Sequence, residues 1–374
     1  MDSYVRTDAE LAAIVAELRA GPLVAVDTEA ASFHKYVDRV YLVQLSSRAR
    51  TAVVDPLAVG NLGPLGALLA DPAVEKVFHD ADYDLRILDR DYGFHGVRLF
   101  DTRIAAQLLG EPAIGLGSLL EKYLQVKLSK VHQKADWSQR PLPPPMLAYA
   151  ADDTRHLPRL RDLLHAQLSD RGRLAWAQEE FTRLEELRWT GPADGDEEGY
   201  LRVKGAKALR PRELAAFQQL HAWREAVARR EDQAPFRIIG NDPLLAVSRA
   251  LPETAGALGK VAGLPASLAR RHGPALLDAV RRARALPEAE LPRLARAPRG
   301  PKDPKFDERV EKLKAARNRV AAGLGIDPGV LCGRPTLEVV ARAAPTNRAG
   351  LAAVGELRRW QLDVLGDALL AALG

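Results

Sequence analysis

Cysteine is almost absent from the chain, with Cys332 its single one. There can be no internal disulfide and no cysteine-built zinc site, which fits a reducing compartment. Long apolar runs are missing too. None reaches the ~18 residues that a membrane-spanning helix needs, and the opening MDSYVRTDAE has no apolar core of an export signal. The expected location is cytoplasmic, with no membrane partner. Hydrophobic residues make up 47% and charged residues 28%, an ordinary balance that excludes collagen-like and wholly disordered classes. A length of 374 residues suggests two or three domains.

The net charge of +5 conceals an asymmetry: residues 1–170 carry −4 and residues 171–374 carry +9. A basic half attracts a polyanion such as nucleic acid. The plain alternative is a set of solvated, arginine-rich helices.

Local patterns outline the N-terminal half. DAELAAIVAELR (8–19) puts Leu11, Ile14, Val15 and Leu18 on one helical face. LVAVDTE (23–29), VYLVQLS (40–46) and TAVVDP (51–56) read as strands. Then alternate a helix at 62–70, a strand at 74–79, a helix at 82–93 ending on Gly93, a strand at 97–102 and a helix at 102–110. The stretch from about 115 to 188 reads as almost all helical. The first three strands are short-linked and expected antiparallel; the later ones have helical crossovers and can be parallel. This order implies a mixed sheet with packed helices, as expected of a ribonuclease H-like sheet, and the same string fits other α/β folds.

WTGPADGDEEGY (189–200) reads as a surface linker, and prolines 287, 292, 298, 301 and 304 mark a second one. The helical segments beyond each linker look like diverged copies at a period of about 90 to 95 residues, a domain duplication.

Three acidic groups carry the chemistry. Asp27 and Glu29 stand two apart at a strand end and project together. Like charges held close resist ionisation, a conflict that a hard cation such as Mg²⁺ or Mn²⁺ removes. Asp80, Asp82 and Asp84 mark a strand-to-helix junction; Asp84 borders the buried helix face, whereas Asp80 and Asp82 read as solvated or capping. Tyr149 and Asp153 are i and i+4 on one helical face, with Asp152 turned away. Taken singly, a polar strand end, helix capping and a half-buried core tyrosine explain each group.

In order, these motifs resemble the ribonuclease D family of DEDD exonucleases, in its tyrosine subclass. VYLVQLS (40–46), VFHDADYDL (77–85), LFDTRIAAQLLG (99–110) and DWSQRPLPPPMLAYAADDTRHL (136–157) extend the likeness over about residues 1–188. Ala148, five residues before Asp153, disfavours the histidine subclass. After Glu29, where many members have an aromatic residue, stands Ala30; Phe33 or Tyr36 could replace that contact. Position 80, often small in the family, is Asp. The C-terminal segments resemble HRDC domains, the first through Trp223-Arg224, Pro235-Phe236, Asp242, Pro252 and Gly263. The second does so through LGIDPG (324–329), Thr336-Leu337-Glu338, Pro345 and Trp360.

The resemblance implies an exonuclease domain over 1–190, a linker over 191–207, an HRDC domain over 208–286, a Pro-rich linker over 287–305 and an HRDC-like domain over 306–374. It implies that Asp27, Glu29, Asp84, Tyr149 and Asp153 are catalytic, and that the four carboxylates hold two divalent ions, Mg²⁺ or Mn²⁺. Asp27 would bridge both ions, Glu29 and Asp153 would complete the site of the attacking water, Asp84 would act on the second ion through water, and Tyr149 would orient the nucleophile. The expected reaction is 3′→5′ hydrolysis of single-stranded RNA ends to nucleoside 5′-monophosphates, with transfer RNA precursors among the substrates. A DNA exonuclease would use the same carboxylates. A non-catalytic nucleic-acid adaptor and a helical interaction scaffold are the further alternatives. No protein partner is indicated.

Overall fold

The computed structural model describes residues 3–191, 198–294 and 303–374. Contacts divide these into two compact units. One holds residues 3–29, 40–189 and 303–374; the other holds residues 30–39, 190–191 and 198–294.

In the first unit, strands β1 (Ser3–Val5), β2 (Leu23–Ala30), β3 (Val40–Ser46), β4 (Thr51–Val54), β5 (Glu75–Phe78) and β6 (Leu99–Asp101) form one sheet in the order β1-β4-β3-β2-β5-β6. β3 and β4 are antiparallel, while β5 is parallel to both β2 and β6, as the connection lengths allow. The short edge strand β1, parallel to β4, has no counterpart in the sequence reading: three residues are too few to show an alternation.

Helices α1 (Asp8–Arg19), α2 (Gly63–Leu69), α3 (Asp82–Tyr92), α4 (Thr102–Leu109), α5 (Leu116–Leu124), α6 (Pro144–Arg155), α7 (Leu157–Asp170) and α8 (Leu174–Glu185) belong to the same half of the chain. α1 begins in a reciprocal cap between Thr7 and Glu10 and buries Leu11, Ile14, Val15 and Leu18. The expectation of near-continuous helix from 115 to 188 is corrected over residues 125–143, which are irregular. Gln125 ends α5 in the left-handed conformation, and prolines 141 and 143 prevent an earlier restart. Arg140 ties this segment to the sheet, pairing with buried Asp55 at 2.6 Å and donating to Tyr41 O at 2.8 Å.

The second unit contains two short 3-10 turns, Gly199–Arg202 and Ala206–Ala208, then α9 (Pro211–Glu231), α10 (Pro235–Ile238), α11 (Asn241–Ala250), α12 (Ala255–Leu258) and α13 (Ala266–Ala285) around Phe217, Leu220, Leu244 and Leu276. Residues 306–373 form α14 (Phe306–Leu324), α15 (Pro328–Leu331), α16 (Arg334–Ala343), α17 (Arg348–Ala353) and α18 (Arg359–Leu373). The duplication is visible in the backbone. Left-handed residues recur 93 apart, at Asp232 and Gly325 and at Leu251 and Ala344. Arg224 and Arg317, also 93 apart, are both buried. The centres of the two expected linkers, 192–197 and 295–302, lie outside the described residues. Among the described residues no helix is long and apolar enough to cross a membrane.

Candidate active site

Three elements bring the acidic groups together. β2 is buried through Leu23, Val24, Ala25 and Val26, so its polar end emerges at the edge of the core with Asp27 and Glu29 on one side. α6 starts within the proline run 143–145, lies against β3, and buries Ala150 and Ala151 fully. Buried Thr154 shares a hydrogen bond with Ser46 at 2.8 Å, and Ser46 with Thr51 at 2.9 Å, fixing the roll of α6 beside Asp153. As a result one carboxylate oxygen each from Asp27, Glu29 and Asp153 fall within 4.8 Å of one another.

Asp84, on the first turn of α3, is buried. It is not part of that three-residue cluster. Its Oδ1 accepts from Thr28 N–H at 3.1 Å and from Thr28 Oγ1 at 2.5 Å. The neighbouring acids behave differently. Asp82 is exposed and pairs with Arg86 at 2.8 Å. Asp80 is left-handed, with φ of 70°, and pairs with Arg103. Neither caps α3, whose N-cap is Ala81. Asp152 pairs with Arg155 at 2.9 Å, which leaves Asp153 to the cluster.

The electrostatics are those of crowded buried acids. Burial first, and then Asp153, raise Asp27 above the ordinary carboxylate range. Burial and then Asp27, Asp153 and Asp84 raise Glu29. Burial and Asp27 raise Asp84, opposed by the two Thr28 hydrogen bonds. Burial and then Asp152 raise Asp153. Among the described residues no Lys or Arg is ion-paired to any of these four. Carboxylates in this state take a cation or a proton, and an all-oxygen set suits a hard divalent ion.

Tyr149 stands one helical turn before Asp153. Buried Trp137 packs on its ring at 6.0 Å and His132 meets it edge-on at 5.8 Å. Burial and the three nearby carboxylates raise its phenol well above the ordinary value, so it carries its proton at neutral pH. Tyr149 and Asp153 line a cleft of about 660 Å³ that also takes in Arg103, Lys127, Lys130 and Gln133. Most of that basic wall comes from the irregular segment 125–143, which the expected helix had hidden.

One positioning residue had gone unnoticed. Asp101 is buried at the end of β6; its carboxylate accepts the N–H groups of Arg103 and Ile104, starting α4, and also those of Asp80 and Ala81 at 3.2 and 2.7 Å. It thus joins two chain turns and sets where α3, and with it Asp84, begins. An Asp before a helix is a recognisable cap signal; its second pair of donors has no local signature.

A family model for a 3'-5' exonuclease matches residues 3–169, and one for the HRDC domain matches twice, at 213–280 and 306–373. Ribonuclease D of Pseudomonas paraeruginosa is 33% identical over 374 residues, covering 99% of this chain and 97% of that protein. The crystal structure of Escherichia coli RNase D covers 100% of this chain and 98% of that one, with a TM-score of 0.73 at 28% identity. The catalytic core of RRP6 from Trypanosoma brucei covers 76% of this chain and 81% of that one, with a TM-score of 0.66 at 31% identity. The tandem repeat, the sheet order and the carboxylate cluster agree with one conclusion: this chain belongs to the ribonuclease D family of 3′–5′ exoribonucleases.

Proposed function

We propose that Asp27, Glu29, Asp84, Tyr149 and Asp153 are the catalytic residues, and that the chain removes nucleotides from the single-stranded 3′ end of RNA as nucleoside 5′-monophosphates. The observation that carries this assignment is the convergence of Asp27, Glu29 and Asp153, with no Lys or Arg ion-paired to them among the described residues. The four carboxylates, Asp27, Glu29, Asp84 and Asp153, would hold two divalent ions, Mg²⁺ or Mn²⁺.

Two such ions stabilise the charge that builds on the attacking and leaving oxygens of an in-line displacement. The chain's own residues do the positioning. The phenol of Tyr149 keeps its proton, so it donates a hydrogen bond that orients the attacking water and does not act as a base. Lys127, Lys130 and Arg103, along the cleft, neutralise the backbone of the bound strand. His79 has its pKa lowered to about 4, chiefly by burial; it is neutral at pH 7 and adds no charge there.

We take the natural substrates to be structured RNAs trimmed at the 3′ end, transfer RNA precursors among them. The likeness to an Escherichia coli exoribonuclease involved in structured RNA processing supports this. A cytoplasmic setting suits the single buried thiol, Cys332. The test is a 5′-labelled single-stranded RNA incubated with the purified protein and Mg²⁺ or Mn²⁺. A ladder shortening from the 3′ end is expected. Intact substrate at all concentrations of both ions would refute the proposal.

A further inference from the structure

Two of the large apolar side chains that face solvent lie together. Phe33 is 47% exposed and Phe236 is 52% exposed. Their rings meet edge to face, with centroids 5.8 Å apart and planes at 78°. Phe33 lies in the loop after β2, and Phe236 is the second residue of α10; both belong to the second compact unit.

The backbone beneath the pair is fixed from several directions. Arg237 Nε donates to Phe33 O at 2.6 Å, and Arg237 Nη2 meets His34 Nδ1 at 3.1 Å. Ala234 N–H donates to His34 O at 3.3 Å. Lys35 pairs with Asp232 at 2.8 Å, and the Arg229 guanidinium sits 5.4 Å from the centre of the Tyr36 ring. Tyr36 anchors the loop by packing on the core of the first helical module. The loop is thus held in place while the two phenyl rings stay about half exposed. Leaving both exposed forgoes burial, and such clusters mark binding surfaces.

The charges around the pair select its occupant. In the two chain stretches that carry the rings, 33–39 and 229–237, Lys35, Arg39, Arg229, Arg230 and Arg237 outnumber Asp38, Glu231 and Asp232 by two. Flat apolar faces beside an excess of cations suit a ligand that is itself flat, apolar and attached to anions. An unpaired nucleotide meets all three conditions, because bases stack on aromatic rings while cations follow the phosphates.

We propose that Phe33 and Phe236 form a composite stacking platform for an unpaired base of the RNA, with Arg237 and Lys35 beside it on the phosphate backbone. This rests on the exoribonuclease reading, in which single-stranded RNA is the substrate. The test is binding of a fluorescently labelled ten-nucleotide RNA to the full chain in EDTA, where no cleavage occurs. Phe33→Ala and Phe236→Ala are each expected to weaken Kd about 5- to 30-fold. Phe236→Trp is expected to restore it, and Phe236→Leu, which keeps an apolar side chain without a ring face, is not. With Mg²⁺ added, the loss should fall on KM more than on kcat. Wild-type Kd in both alanine variants, or in Phe236→Leu, would overturn the platform. So would a loss that follows a fall in Tm and is not rescued by Trp. None of these outcomes touches the exonuclease assignment, which depends on the wild-type protein shortening RNA.

Discussion

Thr28 donates twice to one atom of Asp84, through its backbone N–H at 3.1 Å and its hydroxyl at 2.5 Å, both to Oδ1. The residue between Asp27 and Glu29 therefore holds the carboxylate that arrives from α3. Donors to a carboxylate favour its ionised form, and here they oppose the upward pull of burial and Asp27. Thr28→Val keeps the backbone donor and removes the hydroxyl, so Asp84 should be protonated over a wider pH range. We expect RNA hydrolysis about tenfold slower at neutral pH, with the deficit shrinking as pH rises. A deficit equal at every pH in a kcat profile would show that Thr28 acts through packing alone.

The carboxylate cluster should cost the metal-free protein stability, with a defined sign. Burial and Asp153 place the folded-state pKa of Asp27 above its unfolded value. A carboxylate shifted this way opposes folding once ionised. The penalty is absent below the unfolded pKa of about 4 and grows as pH rises through the folded pKa. Metal-free wild-type protein should therefore lose thermal stability between about pH 5 and pH 8, and a divalent ion should restore it by binding the folded state. Asp27→Asn should raise the metal-free Tm at pH 8 by about 2–4 °C, change it little at pH 5, and abolish RNA hydrolysis. Calorimetry with and without Mg²⁺ checks this; a lower Tm for Asp27→Asn at pH 8 would contradict it.

Tyr149 offers a test of role. Its phenol is pushed well above the ordinary value by burial, Asp153, Glu29 and Asp27, so no ionisation of Tyr149 should shape the rate profile below about pH 10. Tyr149→Phe should lower kcat about 10- to 100-fold, within the range of a lost positioning or proton-handling group, while a metal titration followed by Tm stays near wild type. A rate limb that disappears in Tyr149→Phe would instead assign it as a base.

The site was legible where its residues share a short period. Asp27 with Glu29 follows the strand repeat of two, and Tyr149 with Asp153 the helical step of four, so both pairs could be read before any fold was known. Asp84 was separable from Asp80 and Asp82 because Leu85 and Leu88 mark the buried face of α3. What stayed hidden depends on partners far along the chain. The four N–H groups held by Asp101 come from two separate turns. The irregular wall of the cleft at 125–143 replaced an expected helix, because its form is set by attachments such as Arg140 to Asp55 and not by its own periodicity. The pairing of Phe33 with Phe236 spans about two hundred residues and leaves no local trace.

The same limit applies to the second helical module, which lies in one compact unit with the nuclease sheet. Glu179 of α8 accepts the backbone N–H groups of Arg359 and Trp360 at 2.7 and 3.1 Å, so it caps α18 from another element. Glu180 accepts from Trp360 Nε1 at 2.8 Å and pairs with Arg358 at 3.0 Å. The rings of Trp176 and Trp360 stack with centroids 5.0 Å apart. Gly110 completes the seam: its φ is 77°, and a Cβ there would stand 1.9 Å from Gly325 O. A module held at so many points should unfold together with the sheet. Glu179→Ala removes a cap, a loss of about 1 kcal/mol, and should lower Tm by about 2–4 °C. Gly110→Ala forces backbone apart in a conformation that disfavours a side chain, so its loss should exceed that of Glu179→Ala. Hydrogen exchange supplies the decisive reading. Amides of α18 should exchange faster in both variants, and in the wild type they should exchange with those of β3; if α18 opens independently in the wild type, the module is not part of the nuclease's cooperative unit.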